Sequence, residues 1–225
     1  MNSFERPMTA QEAVLAEIRR QLLDGRLAPG VSVRPDALGE QLGVSAVPVR
    51  EALRILEGEG HVQYRPHRGY VVAALDVEDL IEIYRIRELL ETEAVRRAIP
   101  RLRTETVARL REIVHEMEQV QDDVMSLTSV NRRFHFTLFE AAEMPQLVRV
   151  LRILWDSSDR YRLRYLLSPE NRRLVHDQHQ RMMQAVADGD VESFVDESHR
   201  HRNHAIAALA EALTLAGDEA AQRTA

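Results

Sequence analysis

The sequence predicts a mainly α-helical protein in which a small N-terminal domain with a β-hairpin precedes a larger all-helical domain. Apolar residues recur at helical spacing along most of the 225 residues, while the alternation typical of strands is confined to "HVQYRPHRGYVVAAL". Connections between the later helices are only a few residues long. We therefore predict one domain at residues 8–75 and a second at residues 76–218.

The first domain contains three predicted helices. Thr9 is placed to cap a helix that ends at Gly25, Pro35 starts a short helix that Gly43 stops, and Ser45 is placed to cap the third. Only "GVS" separates the second helix from the third. Two helices joined by so short a turn and followed by a small hairpin form the winged helix-turn-helix pattern.

The third helix, "AVPVREALRILEGEG", has two distinct faces. Its inward face consists of Val49, Leu53 and Leu56. Its outward face presents Ala46, Val47, Arg50 and Arg54. Apolar side chains beside arginines near a helix N-terminus suit the DNA major groove, where thymine methyls and guanine edges are exposed.

The second domain is predicted as an antiparallel bundle of about six helices. These helices start at or beside Asp76, Thr104, Met125, Pro145, Ser168 and Asp190. The fourth is expected to run unbroken through "QLVRVLRILWDSSDRYRLRYLL", and the last to end near Ala216. Helices of this length with short connections pack as antiparallel neighbours.

Three of these helices each turn one histidine toward the interior. His135 shares a helix face with Asn131 and Phe134, and His179 and His201 lie on the apolar stripes of two later helices. The pattern is compatible with a hydrogen-bonded polar cluster and equally with a divalent metal site. Because the chain has no Cys, a metal here has only nitrogen and oxygen ligands.

Charged side chains of the second domain suggest a binding role more than catalysis. Arg85 and Arg87 are both placed to meet a ligand carboxylate, and Arg87 is the preferred candidate. The acidic pairs Asp122 with Asp123 and Asp196 with Glu197 are assigned to solvated helix faces. No inward carboxylate stands out as a general base, and the sequence has no phosphate loop or nucleophile elbow.

The net charge of −6 lies entirely in the second domain, because the first 75 residues hold nine Arg against nine Asp and Glu. This balance makes a DNA-binding first domain compatible with an acidic chain. No apolar run approaches the length of a membrane span, and "MNSFERPMTAQEAV" lacks the regions of a signal peptide. We therefore expect a cytoplasmic protein with no membrane partner.

The stretch "GRLAPGVSVRPDALGEQLGVSAVPVREALRILEGEGHVQYRPHRGYVV" resembles the winged helix-turn-helix of GntR-family transcription regulators, with "LGVS", "PVREALR" and "RG" in register. The helical remainder is similar to the ligand-binding domain of the FadR-like branch, called FCD. The resemblance covers nearly the whole chain. It implies a homodimer that binds a palindromic double-stranded DNA operator and responds to a small organic acid.

The resemblance also implies which residues contact DNA: Arg34, Ser45, Ala46, Val47, Arg50, His67, Arg68 and Gly69. Relatives commonly have Arg-Thr after the serine, whereas this chain has Ala46 and Val47. A base-reading guanidinium and a hydroxyl are thereby absent. The operator sequence of better-known relatives is therefore not transferable.

The family's metal ligands, an Asp-x-x-x-His pair and two later histidines, correspond to Asn131, His135, His179 and His201. The resemblance favours a metal over a polar cluster, with Zn expected and Ni or Mn as alternatives. Here Asn replaces the usual Asp and keeps an oxygen donor in place.

The combined prediction is a DNA-binding regulator, acting as a repressor, whose operator affinity is controlled by a small carboxylic acid bound at or near the metal. One alternative is a metal-dependent enzyme that uses the three histidines. Another is a DNA-binding protein whose ligand pocket is vestigial. The lack of an inward general base and the presence of the DNA-binding module argue against the enzyme.

Overall fold

The computed structural model describes residues 8–222, with side chains as far as residue 214. The chain divides after Leu75 into two compact units, which are described separately. No helix in the described part is long and apolar enough to cross a membrane.

The N-terminal unit has three helices and three short strands. The helices are α1 (Ala10–Leu23), α2 (Pro35–Leu42) and α3 (Ala46–Gly58), and the strands are β1 (Ser32–Val33), β2 (Val62–Arg65) and β3 (Gly69–Val72). The antiparallel sheet has the order β1-β3-β2. The predicted hairpin is therefore joined by a third strand, β1. This strand has only two residues, too few for an alternating apolar pattern to predict it.

Local capping fixes the ends of these helices. Thr9 forms a capping box with Glu12 at the start of α1, and Gly43 ends α2 in the left-handed conformation. Ser45 occupies the N-cap position of α3, but its side chain does not cap the helix. The Ser45 hydroxyl therefore makes no capping hydrogen bond to α3.

The core of this unit holds α3 in place. Val49, Leu53 and Leu56 are fully buried, as their spacing predicts. A Cβ atom on Gly39 of α2 would lie 2.8 Å from the backbone oxygen of Val44. The close approach of α2 to the following turn therefore requires a glycine at this position.

The C-terminal unit consists of seven α-helices and a 3₁₀ turn at Ile99–Arg101. The helices are α4 (Val77–Ala98), α5 (Thr104–Gln119), α6 (Val124–Glu140), α7 (Pro145–Ser157), α8 (Asp159–Leu166), α9 (Pro169–Asp188) and α10 (Val191–Gln222). Helix α10 packs against α4 and α9, and α6 packs against α4 and α5. The prediction of a mainly α chain with an N-terminal winged helix-turn-helix is confirmed.

Three predicted helix boundaries are wrong. The last helix, expected to end near Ala216, continues to Gln222. The helix expected from Pro145 onward is interrupted at Ser158, whose hydroxyl accepts hydrogen bonds from Arg87 and Arg162 and donates to the Trp155 carbonyl oxygen. No Gly or Pro marks this break, so periodicity does not reveal it. Helix α5 has Arg103 as its N-cap residue, and Thr104 is the first helical residue instead of the cap.

Candidate functional sites

The outward face of α3 carries the residues predicted to read DNA. Val47 is 63% exposed, Ser45 and Arg50 are exposed, and Ala46 is half-buried. The Arg50 guanidinium lies 3.3 Å from the Asp36 carboxylate, and both side chains are more than half exposed. An ion pair so open to water is weak, so Arg50 can exchange Asp36 for a phosphate or a base.

The turn between β2 and β3 forms the wing. Its side chains His67 and Arg68 are exposed, and His67 and Gly69 have φ angles of 65° and 75°. The Ser32 hydroxyl donates to the Arg68 carbonyl oxygen at 2.6 Å, which ties the wing to β1. Arg34 is exposed just before α2.

Helix α3 and the wing enclose an open groove. Its lining includes Arg50 and Arg54 from α3, Tyr64 from β2 and Gly69 at the start of β3. The structure thus brings one wing residue and one recognition-helix residue of the predicted set to the same groove, with two guanidinium groups facing it. Glu57 also lines the groove, but the two guanidiniums still give the groove a net positive charge beside an exposed helix N-terminus, as duplex DNA requires.

The three inward histidines of the second unit meet at its centre. The ring centroids are 5.1 Å apart for His135 and His179, 5.2 Å for His179 and His201, and 6.0 Å for His135 and His201. Imidazoles bound to one zinc at about 2.0–2.1 Å have centroids roughly 5 Å apart at tetrahedral angles. Two of the three separations match this value, and the third is wider.

Hydrogen bonds to the outer ring nitrogens orient two of these histidines. The Nδ1 atom of His179 donates to the Val175 carbonyl oxygen at 2.7 Å, and Nδ1 of His201 donates to the Gln178 side-chain oxygen at 2.7 Å. In the neutral rings, both Nε2 atoms then carry lone pairs. Partners of this kind typically fix the tautomer of metal-binding histidines.

A fourth histidine supports this arrangement from outside. The Gln178 amide nitrogen donates to Nδ1 of His204 at 2.8 Å, so His204 orients Gln178 and Gln178 orients His201. Burial, the largest effect, and the neighbouring His179 lower the pKa of His201 well below 6.5.

The other two imidazoles are also held in the neutral form. Burial, followed by the charges of His179 and His201, lowers the pKa of His135 well below 6.5. Burial lowers the pKa of His179 to about 4, although its bond to Val175 opposes the shift. Neutral imidazole is the form that binds a metal.

Asn131 is the member of the predicted metal-ligand set that offers an oxygen donor. It is 3% exposed and lies one helical turn before His135. Its Oδ1 atom is buried and accepts no hydrogen bond from any residue within the described range. A buried carbonyl oxygen without a donor is unfavourable, and a cation would satisfy it.

The three histidine side chains do not form a complete metal site in the positions that they occupy. Among the described residues, no group of three His, Asp or Glu side chains is arranged to hold a metal as it stands. The wide separation of His135 and His201 accounts for this. Metal binding would require at least one of these rings to move inward.

A network of buried charges adjoins the histidines. The Glu91 carboxylate accepts from Nε of Arg87 at 2.9 Å, from the indole N–H of Trp155 at 2.7 Å and from Nη1 of Arg202 at 2.8 Å. The Trp155 ring lies between two guanidiniums, 4.2 Å from that of Arg87 and 4.1 Å from that of Arg162. Arg87 is therefore fully engaged with protein groups.

The arginine best placed to meet a ligand is Arg202. It is 3% exposed, and its Nε and Nη2 atoms are buried without a hydrogen-bond partner in the described part of the chain. It lines a cavity together with Arg87, Asn131, His201 and Tyr165. The Tyr165 hydroxyl is likewise buried without a partner, and burial raises its pKa to about 12.

This cavity joins the arginines to the predicted metal ligands. Its volume is about 20 Å³. It has room for roughly one water in this conformation. A larger ligand would need the lining side chains to move.

Comparison with known proteins gives the family. Residues 82–204 match the model of the FCD domain, and residues 10–72 match that of the gntR family of bacterial regulatory proteins. The chain belongs to the GntR family. It is a DNA-binding transcriptional regulator of the GntR and FCD type.

Individual relatives agree with this assignment. This GntR regulator is 34% identical over 141 residues to the HTH-type transcriptional regulator McbR of Escherichia coli (strain K12), a match that covers 62% of the chain and 64% of the relative, just under two thirds of its length. It is 30% identical over 161 residues to the Nta operon transcriptional regulator of Aminobacter aminovorans, covering 71% of the chain and 75% of that relative. The solved structure of E. coli McbR/YncC matches with a TM-score of 0.79 and 28% identity, covering 92% of this chain and 100% of the other. These proteins are transcriptional regulators and not enzymes, in agreement with the prediction.

Sequence reasoning about this GntR regulator missed three buried charges. The inward carboxylate that seemed absent is Glu91, one helical turn after Arg87 on α4, and Arg162 and Arg202 complete the network. A signal existed for Arg202, which follows Ser198 by four residues on the inward stripe of α10. Glu91 is held by three donors, so it is not available as a general base.

One surface assignment is also wrong. Glu197 is 2% exposed and binds Arg181 and Arg200, whereas it was expected on a solvated face with Asp196. The side chains of Arg181 and Arg200 cover Glu197, because the long aliphatic stem of an arginine can bury a carboxylate at a helix surface. Asp123 is exposed as expected and caps α6.

Proposed function

We propose that this GntR regulator is a repressor that binds a palindromic operator as a homodimer and releases it when a small carboxylic acid occupies the helical domain. The observation that carries the effector part is the meeting of unpaired polar atoms at one cavity, namely Oδ1 of Asn131 and Nε and Nη2 of Arg202. Natural proteins rarely leave such groups buried without a partner. A ligand that satisfies them is the simplest reason for their presence.

A divalent metal is the proposed partner of Asn131, His135, His179 and His201. The fit rests on three neutral imidazoles, two of which direct Nε2 lone pairs inward, and on an amide oxygen without a donor. Nitrogen-rich donor sets suit Zn, with Ni or Mn as alternatives. A neutral ligand set leaves the full charge of the ion for an acid to neutralise.

Arg202 is the proposed receptor for the acid. In the buried network, Glu91 is shared between Arg87 and Arg202, and Arg162 pairs with Asp159. One guanidinium charge is therefore left without its own carboxylate. A ligand carboxylate can accept two parallel hydrogen bonds from the free Nε and Nη2 atoms of Arg202.

An exposed apolar strip supports the proposed homodimer. On α4, Ile81 and Leu89 are 41% and 71% exposed, and on the adjoining α7, Val150 and Ile153 are 43% and 50% exposed. Covering such side chains with the same strip of a second copy would form a symmetric interface. Light scattering on the wild type and on Leu89→Arg tests it, and a monomeric wild type would contradict the proposal.

The acid would act through the equilibrium between two dimer arrangements. Binding can change operator affinity only if the acid prefers the arrangement that does not fit the operator. The rival with a vestigial pocket predicts no such linkage. It also leaves the unpaired atoms of Arg202 and Asn131 unexplained.

The experiment measures operator binding by fluorescence anisotropy, using the region upstream of the gene, at several salt concentrations. Specific and salt-dependent binding is expected, since phosphate contacts release counterions. The absence of specific binding there and to any selected palindrome would reject the regulator. A panel of organic acids then tests release.

Arg202→Gln and Arg85→Gln form a matched pair for the effector. Arg85 is exposed on α4, so its variant should respond to acids like the wild type. Arg202→Gln should keep operator binding and lose the response to the active acid by at least about tenfold, as removing one charge-assisted hydrogen-bond pair does. Equal responses of the two variants would exclude Arg202 as the receptor.

A further inference from the structure

We infer that Val47 reads a thymine in each operator half-site by contact with its 5-methyl group. This inference rests on the proposed operator binding and adds the chemical class of one base that α3 recognises.

Val47 has no structural role that explains its presence. It is the second residue of α3 and is 63% exposed, so it contributes little to the core that Val49 and Leu53 form. Valine is also a poor helix former, since its branched side chain loses rotamer freedom. The two methyl groups of Val47 are therefore free to contact a partner at the start of the recognition helix.

The start of α3 offers few polar groups to a base. Ala46, Val47 and Pro48 have no polar side-chain atom, and Pro48 also lacks a backbone N–H. Hydrogen bonding from this part of the helix is left to the Ser45 hydroxyl, which does not cap α3, and to Arg50. The side chains of residues 46 to 48 therefore cannot read a base by hydrogen bonding.

The charges around Val47 identify nucleic acid as the partner. Arg34, Arg50, Arg54 and Arg68 are exposed on the same unit, and two of them line the groove between α3 and the wing. A second protein chain would more often meet Val47 with a continuous apolar surface. The phosphates that flank a major groove attract exposed arginines of this kind.

The thymine methyl is the apolar group that the major groove presents. It distinguishes T·A from the other base pairs, and recognition helices contact base edges with their first residues. Arg50 lies one turn after Val47 and within reach of a neighbouring base pair or phosphate. The two valine methyls can cover one thymine methyl and exclude water from it.

The test starts from operators that the full-length protein selects from a random duplex pool. Each thymine of the half-site is then replaced by deoxyuridine, which removes only the methyl group. Burial of one methyl corresponds to about a fourfold change in affinity. We expect a loss of about fourfold per half-site at one thymine position and little change at the others.

Val47→Ala should bind the thymine operator more weakly and should no longer distinguish thymine from deoxyuridine at that position. Ile55→Ala is the control, because Ile55 is an exposed apolar residue two turns further along α3, and it should keep the wild-type discrimination. Selected operators without a methyl-sensitive thymine, or full discrimination by Val47→Ala, would overturn the inference. A pool that yields no bound sequence would instead reject operator binding itself.

Discussion

The Nε2 atoms of His135 and His179 lie 3.2 Å apart at the centre of the helical domain. His179 donates its Nδ1 proton to Val175, so its Nε2 atom directs a lone pair at His135. Two nitrogens bound to one zinc at about 2.0–2.1 Å are roughly 3.3 Å apart at the tetrahedral angle. The pair is spaced as two ligands of one ion would be.

Removal of one ligand should lower metal content. For His179→Ala we expect at least about a 100-fold loss of metal affinity, the upper end of what loss of an outer-shell partner causes, with an unchanged helical circular dichroism spectrum. Elemental analysis of the variant and the wild type, both purified without chelator, measures their metal content. His176→Ala on the same helix α9 is the control, and equal metal content in both variants would contradict the site.

The single tryptophan reports on the same site. The Trp155 ring centroid is 5.0 Å from that of His135, and Trp155 is the chain's only Trp. Addition of a divalent ion to chelator-treated wild type should therefore change the intrinsic fluorescence, and the change should saturate near one ion per chain. If the wild type shows no fluorescence change at metal concentrations that saturate the metal site of the His176→Ala control, the ion binds elsewhere.

Asn131→Asp tests whether the oxygen donor contacts the ion. A carboxylate should raise the affinity for a divalent ion by about tenfold or more. Without metal, the buried charge should lower the melting temperature. Thermal unfolding of Asn131→Asp with and without chelator measures both effects. A melting temperature of this variant that does not depend on metal would exclude Asn131 as a ligand.

Gly39→Ala should weaken the DNA-binding unit. Its added Cβ would lie 2.8 Å from the Val44 oxygen, a backbone clash that should destabilise the unit by about 1–3 kcal/mol. At Gly58, in α3, an added Cβ meets nothing within 4 Å, so Gly58→Ala should be neutral or stabilising by about 0.4–1 kcal/mol. Denaturant unfolding measures the stability of the two variants. Equal stabilities would contradict the close approach of Gly39 to the Val44 oxygen.

Glu197 should make stability depend on pH. Burial raises the pKa of this carboxyl, but hydrogen bonds from Arg181 and Arg200 outweigh burial and hold it below 4.5. A pKa lowered on folding stabilises the protein above the unfolded value, and the effect is lost as pH falls through the folded value. Glu197→Gln should thus cost about 1 kcal/mol at pH 7, discounted because both arginines are more than half exposed.

The matching measurement is urea unfolding of wild type and Glu197→Gln between pH 7 and pH 3. The difference between them should shrink below pH 4.5, where the wild-type carboxylate takes up its proton. Asp196→Asn is the control, since Asp196 is exposed and its variant should follow the wild type. A difference that stays constant across this range would mean that the charge of Glu197 has no part in stability.

The sequence by itself determined most of the helices and their faces, because helix caps and apolar periodicity act over a few residues. Thr9 and Asp76 cap helices where local chemistry predicts, and Asn131, His135 and His179 are buried as their spacing requires. The inward and outward faces of α3 follow from the same rule.

Only the tertiary structure decided which buried polar groups pair and which are left over. Glu91, Trp155 and Arg202 come from three helices, up to 111 positions apart, and local periodicity carries no information about such distances. The break at Ser158 depends equally on Arg87, 71 positions away. The unpaired atoms of Arg202 and Asn131 likewise follow from the positions of their neighbours, because hydrogen bonding is decided by distance and angle in three dimensions.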